Sequence, residues 1–244
     1  MDSQGLETFL GQAAMLARHA DWVRAAARPM VGIARSTMPL SPGRSRLGGA
    51  PDLPPGTSWP HHEQGPYRFL AQVNFSEVRA PDTGLPSQGV LSVFVADDEE
   101  QNVFWKEPHF IRALYTADPR GLVRVSPPAD LNEPPGFSIR FGEVSIDLPR
   151  DRIQRSDWPG GLAEPAVAWW RTQRVRQEAY LLGYPAVSTL AYDPTPGAGW
   201  ASLLTLSSID ALDWSWGGGA YLHLFIEQSR LLVGDFSQIV ADVG

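Results

Sequence analysis

Gly48, Gly49, Pro51, Pro54, Pro55 and Pro60 fall within thirteen residues of one another. Proline has no N–H to donate and fixes its φ, and glycine gives up the most backbone freedom on ordering, so these six cannot all sit inside a helix or a central strand. The run from Ser45 to Val73 is therefore a shaped loop that delivers the chain into a strand over Phe69–Phe75.

A weaker copy of this arrangement recurs near the other end. Leu47-Gly48-Gly49-Ala50-Pro51 matches Leu181-Leu182-Gly183-Tyr184-Pro185, with Pro51 and Pro185 separated by 134 residues. Phe69-Leu70-Ala71-Gln72-Val73 matches Ser202-Leu203-Leu204-Thr205-Leu206 at an offset of 133, and Leu91–Val95 matches Leu222–Ile226 at 131. Three matches in one order with nearly constant offset predict two copies of one unit: glycine-proline loop, strand, linker, strand.

The strings SRLGGAPDLP, FLAQVNFSEV, GVLSVFV, LLGYP and AYLHLFI, in that order between Arg44 and Phe236, resemble the bacterial DUF1963 or YwqG-like family. The resemblance implies a duplicated α+β domain of the bacterial cytosol whose activity is not established, with immunity or interaction roles in toxin systems suspected of some members. Two positions depart from the pattern: Arg46 stands where a lysine is expected before the double glycine, and Thr205 stands where a glutamine would answer Gln72. If Gln72 has a structural role in both halves, only the first half can keep it.

At 244 residues the chain suits one large domain or two small ones at about 100 to 200 residues each. Interleaved halves favour a single domain over 1–244, with repeats at about 29–125 and 165–244. The chain has no cysteine, which removes disulfides, thiolate metal sites and a cysteine nucleophile and fits a reducing cytosol. Its start lacks a basic segment followed by an apolar block, and no apolar run approaches about 18 residues, so no signal peptide or membrane span is expected. A net charge of −7 argues against duplex nucleic acid and is compatible with a basic protein partner. Lys106 is the only lysine and follows Phe104-Trp105, not a glycine cradle, so there is no phosphate-binding P-loop.

The fold class expected is α+β: mostly antiparallel β with an N-terminal helix, a linking helix and two pseudo-symmetric halves. Leu6, Phe9, Leu10, Ala13, Ala14 and Ala17, continued by Trp22 and Val23, predict one helix from about Ser3 to Ala27, ended by Pro29. A short strand at Met30–Ala34 follows. Between the copies, Val90–Ala96, Val103–Lys106, Phe110–Tyr115, Leu122–Val125, Gly136–Phe141 and Glu143–Leu148 read as short strands separated by turns. Pro165–Tyr180 reads as the linking helix. Leu203–Leu206, Tyr221–Glu227, Arg230–Val233 and Ile239–Val243 close the chain as strands, or as strands and a short helix.

No motif carries an evident chemistry. His61-His62-Glu63 is the only cluster of metal-ligand atoms, but adjacent histidines on an extended segment diverge and no spaced partner follows, so it is read as surface loop. Asp97, Asp98, Glu99 and Glu100 could attract a cation or an arginine-rich partner; without calcium-loop spacing they read as a solvated turn. Ser208, Asp210 and His223 supply the residue types of a nucleophile relay without its elbow, and His223, between Tyr221 and Phe225, reads as a core histidine. Trp214-Ser215-Trp216 before three glycines suits a ligand shelf or partner surface, though two tryptophans filling a hairpin core is the preferred reading. Arg171, Arg174 and Arg176 read as a solvated helix face.

Three functions follow. The leading one is a non-catalytic cytosolic protein-binding module, in its most specific form an immunity protein that neutralises a basic toxin. The second is a small-molecule binder in a cleft between the repeats, lined by Trp59, Trp200, Trp214 or Trp216. The third is an enzyme that uses carboxylates and arginine without metal. No cofactor, metal, nucleic acid or membrane is expected in any of them.

Overall fold

The computed structural model describes residues 7, 10–96, 104–129, 131, 135–173, 177–187, 189–217 and 220–244. In chain order, α1 (Ala14–Ala17) and α2 (Ala20–Ala26) precede β1 (Arg28–Arg35), β2 (Arg46–Gly48), β3 (Asp52–Leu53), β4 (His61–His62), β5 (Gly65–Pro66), β6 (Arg68–Asn74), β7 (Val90–Val95), β8 (Ile111–Thr116), β9 (Val123–Arg124) and β10 (Gly136–Asp147). Then come α3 (Ala163–Gln173), β11 (Ala179–Leu182), β12 (Trp200–Ser207), β13 (Tyr221–Glu227), α4 (Gln228–Leu232) and β14 (Val240–Val243).

Ten of these strands form one sheet in the order β14-β13-β12-β11-β1-β10-β2-β6-β7-β8, every pairing antiparallel. β1 and β10 occupy its middle. On one side of them lies a four-stranded arm, β2-β6-β7-β8, and on the other a second, β11-β12-β13-β14. Each central strand pairs outward with the arm from the other end of the chain. β10 places Gly136, Phe137 and Ser138 opposite Gly48, Leu47 and Arg46, and β1 places Met30, Val31 and Gly32 opposite Leu182, Leu181 and Tyr180.

Three bulges bend this sheet. One extra residue, Leu70, interrupts β6 against β7, another, Leu203, interrupts β12 against β13, and the β1–β10 register slips between Val31 and Ile33. A bulge raises local twist and curls a sheet, and here the two outer edges come round toward each other. Tyr115 on β8 packs on Phe236, at 5.0 Å between ring centroids, and Phe236 stacks on Phe75. Lys106 reaches the Tyr192 hydroxyl at 2.6 Å and the Asp242 carboxylate on β14 at 3.3 Å. The sheet is nearly a closed barrel, and a single buried apolar cluster includes residues of both arms, among them Phe69, Val93, Leu206 and Leu224. A second cluster joins Leu16 and Val23 of α1 and α2 to Leu162 and Trp170 at α3.

Each arm's first strand ends alike. Gly48 and Gly49 have φ of 65° and 70°, and Leu182 and Gly183 have 60° and 73°. The Gly49 N–H donates to the Pro135 carbonyl at 3.1 Å, and the Gly183 N–H donates to the Pro29 carbonyl at 2.8 Å. These left-handed residues turn the chain out of the sheet, which β-carbon sterics normally reserve for glycine.

Several expectations are corrected here. The predicted N-terminal helix is broken twice, at Ala13, which is extended with φ −136° and ψ 112°, and at Arg18 and His19, and each break resets the phase: Ala14 and Ala17 are exposed while Leu16, Val23 and Ala26 are buried. Gly136–Phe141 and Glu143–Leu148 are not two strands. They are one twelve-residue strand, because Gly142 lies in the β1–β10 bulge and not in a turn. The linking helix is described over Ala163–Gln173 and does not reach Gln177, and Tyr180 belongs to β11, paired on both sides. Phe104 to Lys106 is turn, not strand. The glycine-proline run also contains a strand of the sheet interior: β2 is held between β10 and β6 before Gly48 ends it. Arg230–Val233 takes the helical alternative as part of α4.

A Cβ on Gly48 would lie 2.2 Å from the Pro135 carbonyl oxygen, whereas one on Gly49 would meet nothing nearer than 3.6 Å. Gly49→Ala is expected to cost about 1–2 kcal/mol through backbone strain alone, and Gly48→Ala at least about twice that because the clash adds overpacking; urea denaturation of the two variants checks the order.

Candidate functional site

β2 opens on a buried ionic knot. Arg46 and Asp52 are both fully buried, the guanidinium pairs with the Asp52 carboxylate, and it also donates to the carbonyls of Ala50 and Ser41. Asp52 further accepts from the Gly43 N–H at 2.7 Å and from Arg124 at 3.0 Å. Gln72, opposite Arg46 across β2 and β6, closes the knot: its oxygen accepts from the Asp52 N–H at 2.8 Å and its amide donates to the Arg44 carbonyl at 2.9 Å. Burial pulls the Arg46 pKa down to about 10 while Asp52 pulls the other way, so the side chain remains a cation at neutral pH. This knot has no free face for a ligand. It fixes the glycine-proline loop.

The second arm carries a different set at the same register. Tyr180 lies opposite Thr205, and Thr205 opposite His223. His223 is fully buried, with Nδ1 3.2 Å from the Thr205 hydroxyl. Burial pushes its pKa down to about 4, against a smaller opposing pull from the Ala186 and Gly244 backbone, so it is neutral at pH 7. The Ser208 hydroxyl donates to the Ala220 carbonyl instead, and no Ser208–His223 bond is formed. The three relay residue types do not converge.

A cavity of about 300 Å³ opens where the arms meet across β1. Asp82, Thr83 and Gly84 of the first arm face Trp200, Ser202, Leu231 and Leu232 of the second, with Arg28, Leu182 and Gly183 in the wall. Its wall is built on a buried carboxylate. Asp147 accepts from the Tyr184 N–H and from Arg150, both at 2.9 Å, and the Tyr184 ring lies under the Arg28 guanidinium at 3.9 Å. At the rim, Leu232 is 71% exposed, and Val233, next in the chain, is 77% exposed. A five-residue helix can bury only one side, and α4 buries Leu231.

A second, more polar cavity of about 650 Å³ lies on the first arm, bordered by His61, His62, Glu63, Tyr67, Glu107, His109 and Arg112. The adjacent histidines expected to diverge both border it. Among the described residues no group of three or more metal-ligating side chains could hold an ion.

The tryptophans singled out in the sequence do not share one cleft. Trp200 lines the cavity between the arms. Trp214 and Trp216 are buried in the main core, 5.8 Å apart between ring centroids, and flank no strand longer than the Ile209–Trp214 bridge. Trp59 is half-buried, donates to the Tyr67 carbonyl at 2.7 Å and meets Phe94 edge-on. Asp97, Asp98, Glu99 and Glu100 lie outside the described residues, as do Arg174 and Arg176. Sequence reasoning missed Arg28, Asp82, Leu231 and Leu232; the only signal was Leu231-Leu232-Val233, three apolar residues in a row on a short terminal element.

The profile of the family described as "Domain of unknown function (DUF1963)" matches residues 45–243. The chain belongs to the DUF1963 family. The matched range opens at Ser45 beside the Arg46 knot and includes both arms, β10 and both cavities, apart from the wall residues Arg28 and Pro29. It leaves out β1, which nonetheless pairs on both sides in the middle of the sheet. A search of the curated proteins returns no match.

Two outcomes follow for this DUF1963 chain. Asp52→Asn leaves Arg46 buried without its counter-charge and is expected to cost about 3–5 kcal/mol, measured by chemical denaturation at pH 7. His223 has a folded pKa below its unfolded one, so the unfolded state binds more protons between them. Its share of stability is therefore intact above about pH 6.5 and falls as pH drops toward 4, by about 3 kcal/mol. His223→Gln should flatten that part of the stability–pH curve.

Proposed function

We propose that the protein is a non-catalytic binding module whose cavity between the arms takes an apolar side chain of a basic partner protein. The observation that carries this reading is the pairing of the cavity with an uncovered apolar rim: Leu232 and Val233 stand in solvent beside a hollow walled by Trp200, Leu182 and Leu231. Covering each rim side chain contributes about 1.5–3 kcal/mol, and an anchor residue seated in a desolvated pocket is the usual centre of a protein interface. The net charge of −7 favours a basic partner and speeds its approach. A basic toxin held by an immunity protein is a partner of this chemistry, and the absence of cysteine supports a reducing, cytosolic setting.

The same proposal includes an internal duplication with exchanged leading strands. Cross-strand pairs support it. Arg46↔Gln72 answers Tyr180↔Thr205, Gln72↔Ser92 answers Thr205↔His223, and the Leu70 bulge answers the Leu203 bulge. The Gly49–Pro135 hydrogen bond answers the one between Gly183 and Pro29. Under that correspondence β1 and β10 are equivalent and their pairing maps onto itself: Ile33↔Phe141 exchanges with Arg35↔Ile139, and Ala34↔Arg140 lies on the axis. Each copy then contributes its first strand to the other copy's arm, and the cavity lies beside this crossing.

Leu232→Asp and Val233→Asp alter exposed side chains and should leave the thermal midpoint nearly unchanged. Each is expected to weaken the complex recovered by affinity purification from source cells by about tenfold or more, as a buried apolar contact becomes a buried charge. A complex indifferent to both changes, or no partner retained at low salt, contradicts the reading.

A further inference from the structure

Three of the chain's five histidines meet at the polar cavity on the first arm. Tyr67 joins the segments that bring them there. Its ring meets His62 edge-on at 4.8 Å, and its hydroxyl donates to the His109 carbonyl at 2.5 Å. His109 is held with φ of 78°, in the left-handed region that a side chain adopts only when its surroundings hold it there.

The hydrogen bonds assign the two ring nitrogens of each hairpin histidine. The Gln64 N–H donates to His62 Nδ1 at 3.3 Å, so in the neutral ring the proton is on Nε2, and that atom is buried with no partner. His61 Nδ1 donates to the Trp59 carbonyl at 2.8 Å, leaving its Nε2 as an acceptor. Arg112, Glu63 and Glu107 border the same space, and none of them forms an ion pair among the described residues. The cavity wall thus presents a guanidinium and two carboxylates that have no ion-pair partner among the described residues, while the His62 Nε2–H is buried behind it.

We infer that this cavity binds a small zwitterion, an α-amino acid or a short peptide, with Arg112 receiving its carboxylate and Glu63 or Glu107 its ammonium. A guanidinium fork matches a carboxylate in two parallel hydrogen bonds. At about 650 Å³ the space falls in the range of small-molecule sites. It shares no lining residue with the cavity between the arms, so the inference stands apart from the partner-binding proposal.

Native mass spectrometry of the full chain, first with a mixture of the twenty common α-amino acids and then with a mixed tripeptide library, tests it and separates the two sources. The expected result is retention of a compound from one mixture. N-acetylation or C-amidation of that compound, and Arg112→Ala or Arg112→Gln in the protein, should each weaken binding about tenfold or more. Arg112 is exposed, so an unchanged thermal midpoint of the unliganded variants assigns the loss to the site. Nothing retained from either mixture, or retention indifferent to blocking the charged ends and to both Arg112 variants, overturns the inference.

Discussion

The pairing of β1 with β10 holds the two arms of the sheet in one molecule. Without it, β11–β14 would have β1 as an edge and β2, β6, β7 and β8 would have β10, each exposing a row of unpaired backbone groups. The strands that make this seam are apolar where it matters: Val31, Ile33 and Ile139 are buried, and Gly32 lets Gln177 approach to a distance a Cβ would not permit. The seam is long because β10 runs twelve residues without a break, and its bulge bends it instead of ending it. Both the near closure of the barrel and the cavity beside β1 follow from that bend.

The arms solve one problem with different chemistry. Where the chain leaves the sheet after its first arm strand, backbone donors and acceptors are turned away from the ladder and need new partners. In the first arm a charged pair, Arg46 and Asp52, supplies them, with Gln72 as the bridge. In the second, Asp147 reaches across to the Tyr184 N–H, and the Tyr180 hydroxyl donates to the Tyr184 carbonyl at 2.9 Å. The first solution is closed on every side. The second leaves Arg28 and Leu182 at the wall of a hollow, which is why the partner-binding proposal rests on the second arm's side of the seam.

Much of this architecture was legible in residue order. The two Gly-Pro loops, the strands after them and the role of Gln72 confined to one arm are local features, set by turn chemistry and by alternation. Three things were not local. Gly142 carries the same signal in a bulge as in a turn, and only its opposite strand decides between them. The helix at the start was misphased because Ala13 and then Arg18-His19 break it without a proline or glycine to mark either place. The cavity residues were illegible for a third reason: Asp82, Trp200 and Leu232 come together only because the sheet curls, and no spacing in the chain encodes that curl. His61, His62 and His109 converge through Tyr67 in the same way.

Native-state hydrogen exchange addresses the seam most directly. If β1 and β10 hold the molecule together, the amides of Ala34 and Arg140, which lie opposite each other and share the parity of the Ser36–Ser138 bond across the seam, should be among the slowest to exchange, and the inner strands of both arms should open with the same free energy as that seam. Arms that exchange with distinct free energies, while the β1–β10 amides open earlier than either, would contradict the account.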